Sequence, residues 1–153
     1  MKYIAISLVL LLTCCKAQEN KKLIADQDIE DIVLIADDAY SGIEKYETEI
    51  IRDVKSLTKF YSRINRTRKP GLPVPVVDFS TSMVVAVCLG QQKGNVIPIL
   101  KRGEESDNTQ SLTLVISQIS SKTKESSQAI AYPFYVFKMP ISMKKTEIKR
   151  EIR

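Results

Sequence analysis

Histidine is absent from this chain, and glycine and cysteine are scarce: the 153 residues include five glycines and three cysteines. Without histidine there is no Ser-His-Asp triad, no Cys-His pair and no imidazole ligand for zinc or haem. The few glycines form no phosphate-binding loop and no nucleotide fingerprint, and no metal-ligand spacing occurs. The sequence therefore predicts a protein that is not an enzyme and that needs no metal or cofactor.

Two of the three cysteines, Cys14 and Cys15, follow an apolar run over residues 4–12 that begins just after a lysine. This pattern is typical of a secretory signal peptide, and the run is shorter than the about 20 residues that span a bilayer. It also resembles a bacterial lipobox, in which Cys15 is the better acylation site, because Leu12 stands three residues before it, and Cys14 the poorer one. We expect a signal peptide at residues 1–14 and an exported lipoprotein, anchored by its lipid in the bacterial cell envelope, either at the outer membrane or facing the periplasm. The alternative is a plain signal peptide without a lipid.

The third cysteine, Cys88, lies in an apolar run over residues 83–89, where cysteine behaves as a small hydrophobic residue. No neighbour in the sequence would stabilise its thiolate, so a catalytic role is not indicated. A mature chain beginning at Cys15 would contain no internal disulfide framework. The fold must then rest on its hydrophobic core.

The charge balance is mildly basic, with a formal net charge of +5. Loss of Lys2 with the leader leaves 22 basic residues (23 less one) against 18 acidic ones, a net charge of +4. This is not the signature of a nucleic-acid-binding protein, and export argues further against a nucleic-acid partner. The densest basic segment, residues 63–69, is either a solvated helix end or a contact for anionic lipid headgroups or an acidic partner.

One domain is expected after the leader, entered through a short polar tether at residues 15–22. Residues 23–75 are predicted to hold a strand, at about residues 33–43, and then one amphipathic helix. Thr48 is the predicted helix N-cap. In the first turn, the negative charge of Glu49 would interact favourably with the positive end of the helix dipole. The apolar stripe of this helix has alternating spacings of four and three and consists of Ile50, Val54, Leu57, Tyr61 and Ile64.

The second half of the chain, residues 76–153, is predicted to be a β domain. Residues 83–89 and 132–139 read as strands buried on both faces, and residues 112–117 as a half-buried strand. Pro98 places the strand at residues 96–100 at a sheet edge or a bulge. Residues 102–109 and 120–127 are predicted polar loops, and residues 144–152 a last, solvent-facing strand. The expected fold is α+β or mainly β: a small antiparallel β-sandwich-like domain with one helix packed on it.

Three stretches of this half carry a family resemblance. They are Pro75-Val76-Val77-Asp78-Phe79-Ser80 leading into Met83-Val84-Val85-Ala86-Val87, the glycine, turn and strand from Gly90 onward, and Ala131-Tyr132-Pro133-Phe134-Tyr135-Val136-Phe137-Lys138-Met139-Pro140. In these stretches the chain resembles the C-terminal domain of the protease-complex subunit PrcB family of exported bacterial lipoproteins. The resemblance implies a protein-binding role, because the founding subunit associates with a surface protease and stabilises it. Many members carry a Thr-Gly-Gly-Tyr turn where this chain has Gln92-Lys93-Gly94-Asn95-Val96.

Two groups of residues follow from this comparison. The candidate partner contact is an exposed hairpin tip made of Gly90, Gln91, Gln92, Lys93, Gly94 and Asn95, since loop tips on rigid scaffolds commonly carry recognition. The structural motif residues are Asp78, Phe79, Tyr132 and Pro133. Asp78 is expected to accept backbone N–H bonds in a turn, with an acidic partner contact as the alternative. The aromatic residues of the segment at 132–137 are expected in the core.

The sequence thus predicts a lipid-anchored, non-catalytic protein-binding domain of the cell envelope, a subunit or stabiliser of an extracytoplasmic protease. Two alternatives stay open. One is a protease-inhibitor-like β domain that uses residues 90–96 as a wedge. The other is a small-ligand or structural envelope lipoprotein, in which Tyr132, Tyr135 and Phe137 would line a cavity.

Overall fold

A computed structural model of the chain describes residues 31–93, 96–118 and 130–153. The predicted signal peptide, Cys14, Cys15, the tether, Gly94, Asn95 and the polar loop at residues 120–127 lie outside the described residues. The described residues form nine strands and one helix. In chain order these are β1 (Val33–Asp38), β2 (Glu47–Ile51), α1 (Val54–Ile64), β3 (Ser82–Cys88), β4 (Gln92–Lys93), β5 (Val96–Glu105), β6 (Thr109–Gln118), β7 (Ile130–Ala131), β8 (Phe134–Pro140) and β9 (Lys145–Ile152).

The first sheet has four antiparallel strands in the order β1-β8-β3-β2. Its central strands, β3 and β8, are the two apolar runs predicted to be buried on both faces, and this prediction is confirmed. Side chains alternate across a strand, so that Val84 and Val136 face one apolar cluster whereas Val85 and Phe137 face another. A strand in this position is apolar at almost every residue.

The second sheet has three strands in the order β5-β6-β9. Strands β5 and β6 are antiparallel, whereas β6 and β9 run parallel, from Thr109 opposite Lys145 to Ile116 opposite Ile152. Pro98 lies on the edge strand β5, as predicted, and β9 is the predicted last strand. The predicted polar loop at residues 102–109 is wrong, because β5 continues to Glu105 and β6 begins at Thr109.

Two apolar clusters join three layers. One lies between the two sheets and includes Leu112 and Leu114 of β6, both fully buried. The other lies between the opposite face of the first sheet and α1, where Phe60 and Phe134 meet edge to face at 6.0 Å. A fully buried side chain of this size contributes about 1.5–3 kcal/mol through removal from water. The expected mainly β fold with one packed helix is confirmed. The first sheet is antiparallel as expected, whereas the parallel pairing of β6 and β9 makes the second sheet mixed.

The start of the helix differs from the prediction. Helix α1 begins at Val54, and its N-cap is Asp53, whose carboxylate accepts a hydrogen bond from the Ser56 amide at 2.8 Å. Thr48 and Glu49 belong instead to β2, which pairs with the edge of β3. The predicted cap at Thr48 is therefore wrong.

The buried face of α1 agrees only in part with the predicted stripe. Leu57, Tyr61 and Ile64 are buried as predicted, together with Phe60, which the stripe missed. Val54 is 63% exposed, and Ile50 is part of β2. The predicted stripe reaches one turn too far toward the N-terminus, to Ile50. The edge strand β2 alternates polar and apolar residues, and over so few residues this pattern resembles the first turn of an amphipathic helix.

The predicted strand at residues 33–43 is confirmed over its first half. Strand β1 ends at Asp38, and the chain then makes a single bridge from Tyr40 to Tyr132. Gly42 follows with a positive φ of 69°, a backbone conformation that ends extended pairing.

Candidate functional site

Asp78 closes a turn just before β3. Its carboxylate accepts hydrogen bonds from the Ser80 amide at 2.9 Å and the Ser80 hydroxyl at 2.6 Å, and from the Thr81 hydroxyl at 3.2 Å. These bonds, the Ser80 hydroxyl first, hold the pKa of Asp78 below its usual value. The predicted turn role is confirmed. Phe79 is half-buried and packs against the cluster beneath α1.

Gly90 stands two residues after the end of β3, in a conformation that glycine adopts far more readily than other residues. Its φ is +70°, and a Cβ built on it would lie 2.8 Å from the carbonyl oxygen of Glu44 and 2.9 Å from the amide nitrogen of Tyr46. The Gln91 amide donates to the same Glu44 carbonyl at 3.3 Å. Gly90 is therefore buried against the backbone of the segment that leads into β2.

Residues 90–93 do not form the exposed hairpin tip that was predicted. They lead the chain out of the first sheet toward the second, and β4 pairs with β7, Gln92 with Ala131 and Lys93 with Ile130. Because β3 and β5 belong to different sheets, no hairpin joins them. Of the described residues in this segment, Gln91 and Lys93 are exposed. Their role as partner contacts stays a prediction.

Tyr132 and Pro133 lie beside this segment. The Tyr132 ring meets the Tyr40 ring edge to face at 5.9 Å, and the Tyr132 carbonyl accepts the Ser41 amide at 2.7 Å. Pro133 is buried, and its carbonyl accepts the Leu89 amide at 3.0 Å. Tyr132 thus holds the start of β8 to the loop after β1, and Pro133 holds it to Leu89, just after β3.

Phe134, Tyr135 and Phe137 lie in the core as predicted. The same prediction is wrong for Tyr132, which is only half-buried because it lies at the end of the sheet. Tyr135 and Phe137 pack between the sheets, where the Tyr135 hydroxyl donates to the carbonyl of Val96. These two residues therefore fill the interior between the two sheets.

These contacts bring three segments together at one end of the first sheet: residues 39–46, 90–93 and 130–133. We call this surface the loop end. It contains two residues of the predicted contact that are exposed, Gln91 and Lys93, and the motif residues Tyr132 and Pro133. Asp78 and Phe79 lie at the opposite end of β3, since β3 begins after them and ends just before Gly90.

The loop end also contains residues that sequence reasoning missed. Tyr40 is 46% exposed and Ile130 is 53% exposed. Arg68, from the segment after α1, binds the carboxylate of Asp38 and the carbonyl of Tyr40 and so fixes the loop that carries the Tyr40 ring. No local pattern could have found this arrangement, because 28 residues separate Arg68 from Tyr40.

Cys88 has no features of a nucleophile. It is buried beneath α1, and burial raises the pKa of its thiol to about 11. A thiol with such a pKa is protonated at neutral pH. Within the three described ranges, no group of three or more acidic or cysteine side chains is placed to hold a metal ion. The part of the chain that the structure describes also has no helix long and apolar enough to cross a membrane.

Comparison with protein-family models, with curated proteins and with solved structures gave no match to this chain.

Proposed function

We propose that this chain is a lipid-anchored, non-catalytic protein-binding domain of the bacterial cell envelope that associates with an extracytoplasmic protease as a subunit or stabiliser. The signal-peptide and lipobox pattern at its N-terminus and the resemblance to the PrcB family support this proposal. The lack of histidine and the high pKa of the buried Cys88 thiol favour binding over catalysis.

The observation that carries the proposal is the exposed Tyr40 ring at the loop end. Aromatic side chains that are exposed yet rigidly held are typical anchors of protein interfaces, where they provide large contact area at low entropic cost. Tyr40 is held by the edge of the Tyr132 ring and, through its carbonyl, by Arg68. Ile130 and Lys93 pair in one register of β4 and β7 and add an apolar and a charged side chain to the same surface.

Binding of this kind acts stoichiometrically. A domain that binds the folded protease and not its unfolded chain shifts the unfolding equilibrium of the protease and lengthens its lifetime. Neither a nucleophile nor a cofactor is needed for this effect.

The test is recovery of the full chain from its native envelope after mild crosslinking. We expect one protease in near-equal amounts with the unsubstituted chain. Tyr40→Ala should reduce this recovery by more than about tenfold, because interface anchors commonly contribute 2 kcal/mol or more. Met143→Ala is the matched control: Met143 is 88% exposed and lies beyond the opposite end of β8, so its loss should change nothing.

The same complex separates the stabiliser from the inhibitor. A stabilised protease keeps its activity on mixing and is degraded faster in cells that lack this chain, whereas an inhibited protease loses its activity on mixing. Recovery of no protease would contradict the proposal and favour a ligand-binding or structural lipoprotein.

A further inference from the structure

The outward face of α1 is a row of basic side chains. Lys55, Lys59 and Ser62 lie on the side of α1 opposite the buried stripe, and Arg66 follows two residues after the helix ends; all four are exposed. Residues 54–69 contain six lysines and arginines and no aspartate or glutamate. We call the surface formed by Lys55, Lys59, Ser62 and Arg66 the basic face.

Few of these charges are neutralised. Arg63 pairs with Glu47 and Glu49 of β2, and Arg68 pairs with Asp38. The pKa of the N-cap Asp53 is lowered mainly by the hydrogen bond from the Ser56 amide. The nearby Lys55 makes a smaller contribution in the same direction. Among the described residues, no carboxylate lies within 4.0 Å of the charged groups of Lys59, Arg66 or Lys69.

The spacing of the cations destabilises the helix that carries them. Lys55 and Lys59, and then Lys59 and Arg63, stand four residues apart, where like charges repel one another. The buried stripe beneath them holds the helix in place regardless. A dense external layer of negative charge would relieve this repulsion.

The basic face also has a place for an anionic group. An open depression of about 330 Å³ lies between the helix and the loop after β1, and it is lined by Gly42, Ile43, Lys59, Ser62, Arg63 and Arg66. Four of its six lining residues carry ammonium, guanidinium or hydroxyl donors, which suit the phosphate of a headgroup. Most of the lining surface is apolar, and Arg63 is paired with Glu47 and Glu49, so Lys59 and Arg66 provide the free charge.

We propose that the basic face lies against an anionic phospholipid surface. Protein interfaces are poor in lysine and centre on aromatic or aliphatic anchors, but the exposed side of α1 offers only Val54 as an apolar residue. Lysine and arginine near a negatively charged bilayer are attracted additively and need no shaped partner. This inference goes beyond the proposed protease binding, because it requires neither the protein partner nor Tyr40. Of the loop end, only Gly42 and Ile43 line the depression.

The test measures partition of the purified full chain onto two kinds of vesicle, phosphatidylcholine alone and equimolar phosphatidylcholine and phosphatidylglycerol. Any contribution of the N-terminal segment is shared by all variants, so the comparison between variants isolates the basic face. The double variant Lys59→Gln/Arg66→Gln should lose about 25-fold in partition onto the anionic vesicles, about fivefold for each cation. Added salt should weaken the binding of the unsubstituted chain, because it screens exposed charges.

The matched control is Lys101→Gln/Lys149→Gln. Both lysines are exposed on the outward side of the second sheet, opposite α1, and the control removes the same net charge. We expect it to change partition by less than about twofold, as for charges held away from the surface by more than a Debye length. Equal losses in the two double variants would overturn the proposal in favour of unspecific attraction by net charge. Equal partition of the unsubstituted chain onto both vesicles would also overturn it and leave an acidic protein as the occupant.

Discussion

Replacement of Gly90 by alanine tests the packing that joins the loop end to the first sheet. The new Cβ would lie 2.8 Å from the Glu44 carbonyl oxygen and 2.9 Å from the Tyr46 amide nitrogen, both of them backbone atoms. Neither atom can rotate away as a side chain could. The segment before β2 would have to move, and with it the hydrogen bond from the Gln91 amide to Glu44.

Gly42 provides the matched control for this change. Its φ of +69° is nearly that of Gly90, but a Cβ there would find its nearest neighbour, the Cε1 atom of Tyr40, at 3.9 Å. Gly42→Ala should therefore lower the free energy of unfolding by about 1–2 kcal/mol, the cost of a left-handed backbone for an L-residue. Gly90→Ala should lower it by about 2–5 kcal/mol, because overpacking adds a further 1–3 kcal/mol.

Urea unfolding of the full chain measures both variants under identical conditions. If the slope of the free energy of unfolding against urea concentration is unchanged, the two substitutions alter stability and not the surface exposed on unfolding. If Gly90→Ala were no more destabilising than Gly42→Ala, the backbone contact of Gly90 with Glu44 and Tyr46 would be refuted. The arrangement of the loop end would then be refuted as well, because Gly90 is where β3 meets it.

Further outcomes can be measured by the same unfolding assay. The Tyr61 hydroxyl is buried with no hydrogen-bond partner among the described residues, and burial raises its pKa to about 12. Tyr61→Phe should therefore leave the free energy of unfolding unchanged or raise it. Tyr135→Phe should lower it by about 1 kcal/mol, because the Tyr135 hydroxyl donates to the Val96 carbonyl. The hydrogen bonds of its turn lower the pKa of Asp78 from 3.8, so its contribution to stability is present above pH 3.8 and is lost as the pH falls through the lower folded-state value. Asp78→Asn should flatten that acid loss. Asp53→Ala should lower the urea midpoint and Thr48→Ala should not, because only Asp53 caps α1.

The central strands could be predicted because a run of consecutive apolar residues indicates a strand buried on both faces. Strands β3 and β8 are apolar at almost every position, and only a strand covered on both faces requires that. Strand β2 could not be found in the same way. Its five residues include two glutamates, which pair with Arg63 on α1, and the pairing with β3 joins segments about 35 residues apart.

The prediction for the hairpin of β5 and β6 was wrong for a different reason. Residues 101–109 are almost all polar, which is typical of a loop, yet the backbone stays paired to Glu105. The outer part of this hairpin is exposed, so its side chains need no apolar alternation. The Ser111 hydroxyl bonds the Glu104 carbonyl at 2.9 Å, and Lys144 pairs with Glu105 at 2.8 Å, contacts that composition does not reveal.

The candidate site was predictable only as separate pieces. The motif at Tyr132 and the segment after Gly90 both stood out in the sequence, but their contact with residues 39–46 depends on the order of strands in the sheet. Strand β8 lies between β1 and β3, which brings the ends of three distant segments together. Tyr40 carries no distinguishing sequence signal and becomes notable only in that setting.

The two proposed surfaces adjoin, because Gly42 and Ile43 of the loop end line the depression on the basic face. The basic face lies on the outward side of α1, whereas the loop end lies at the end of the first sheet beneath it, so a domain resting on a bilayer through α1 would present Tyr40 to the side. Arg68 connects them, because it follows the basic face in the chain and its guanidinium binds Asp38 and the Tyr40 carbonyl. Its engagement inside the fold explains why the cation nearest the loop end does not add to the basic face. Lys59 and Arg66, the cations of the basic face with no carboxylate within 4.0 Å among the described residues, are therefore the ones on which attraction to an anionic surface depends.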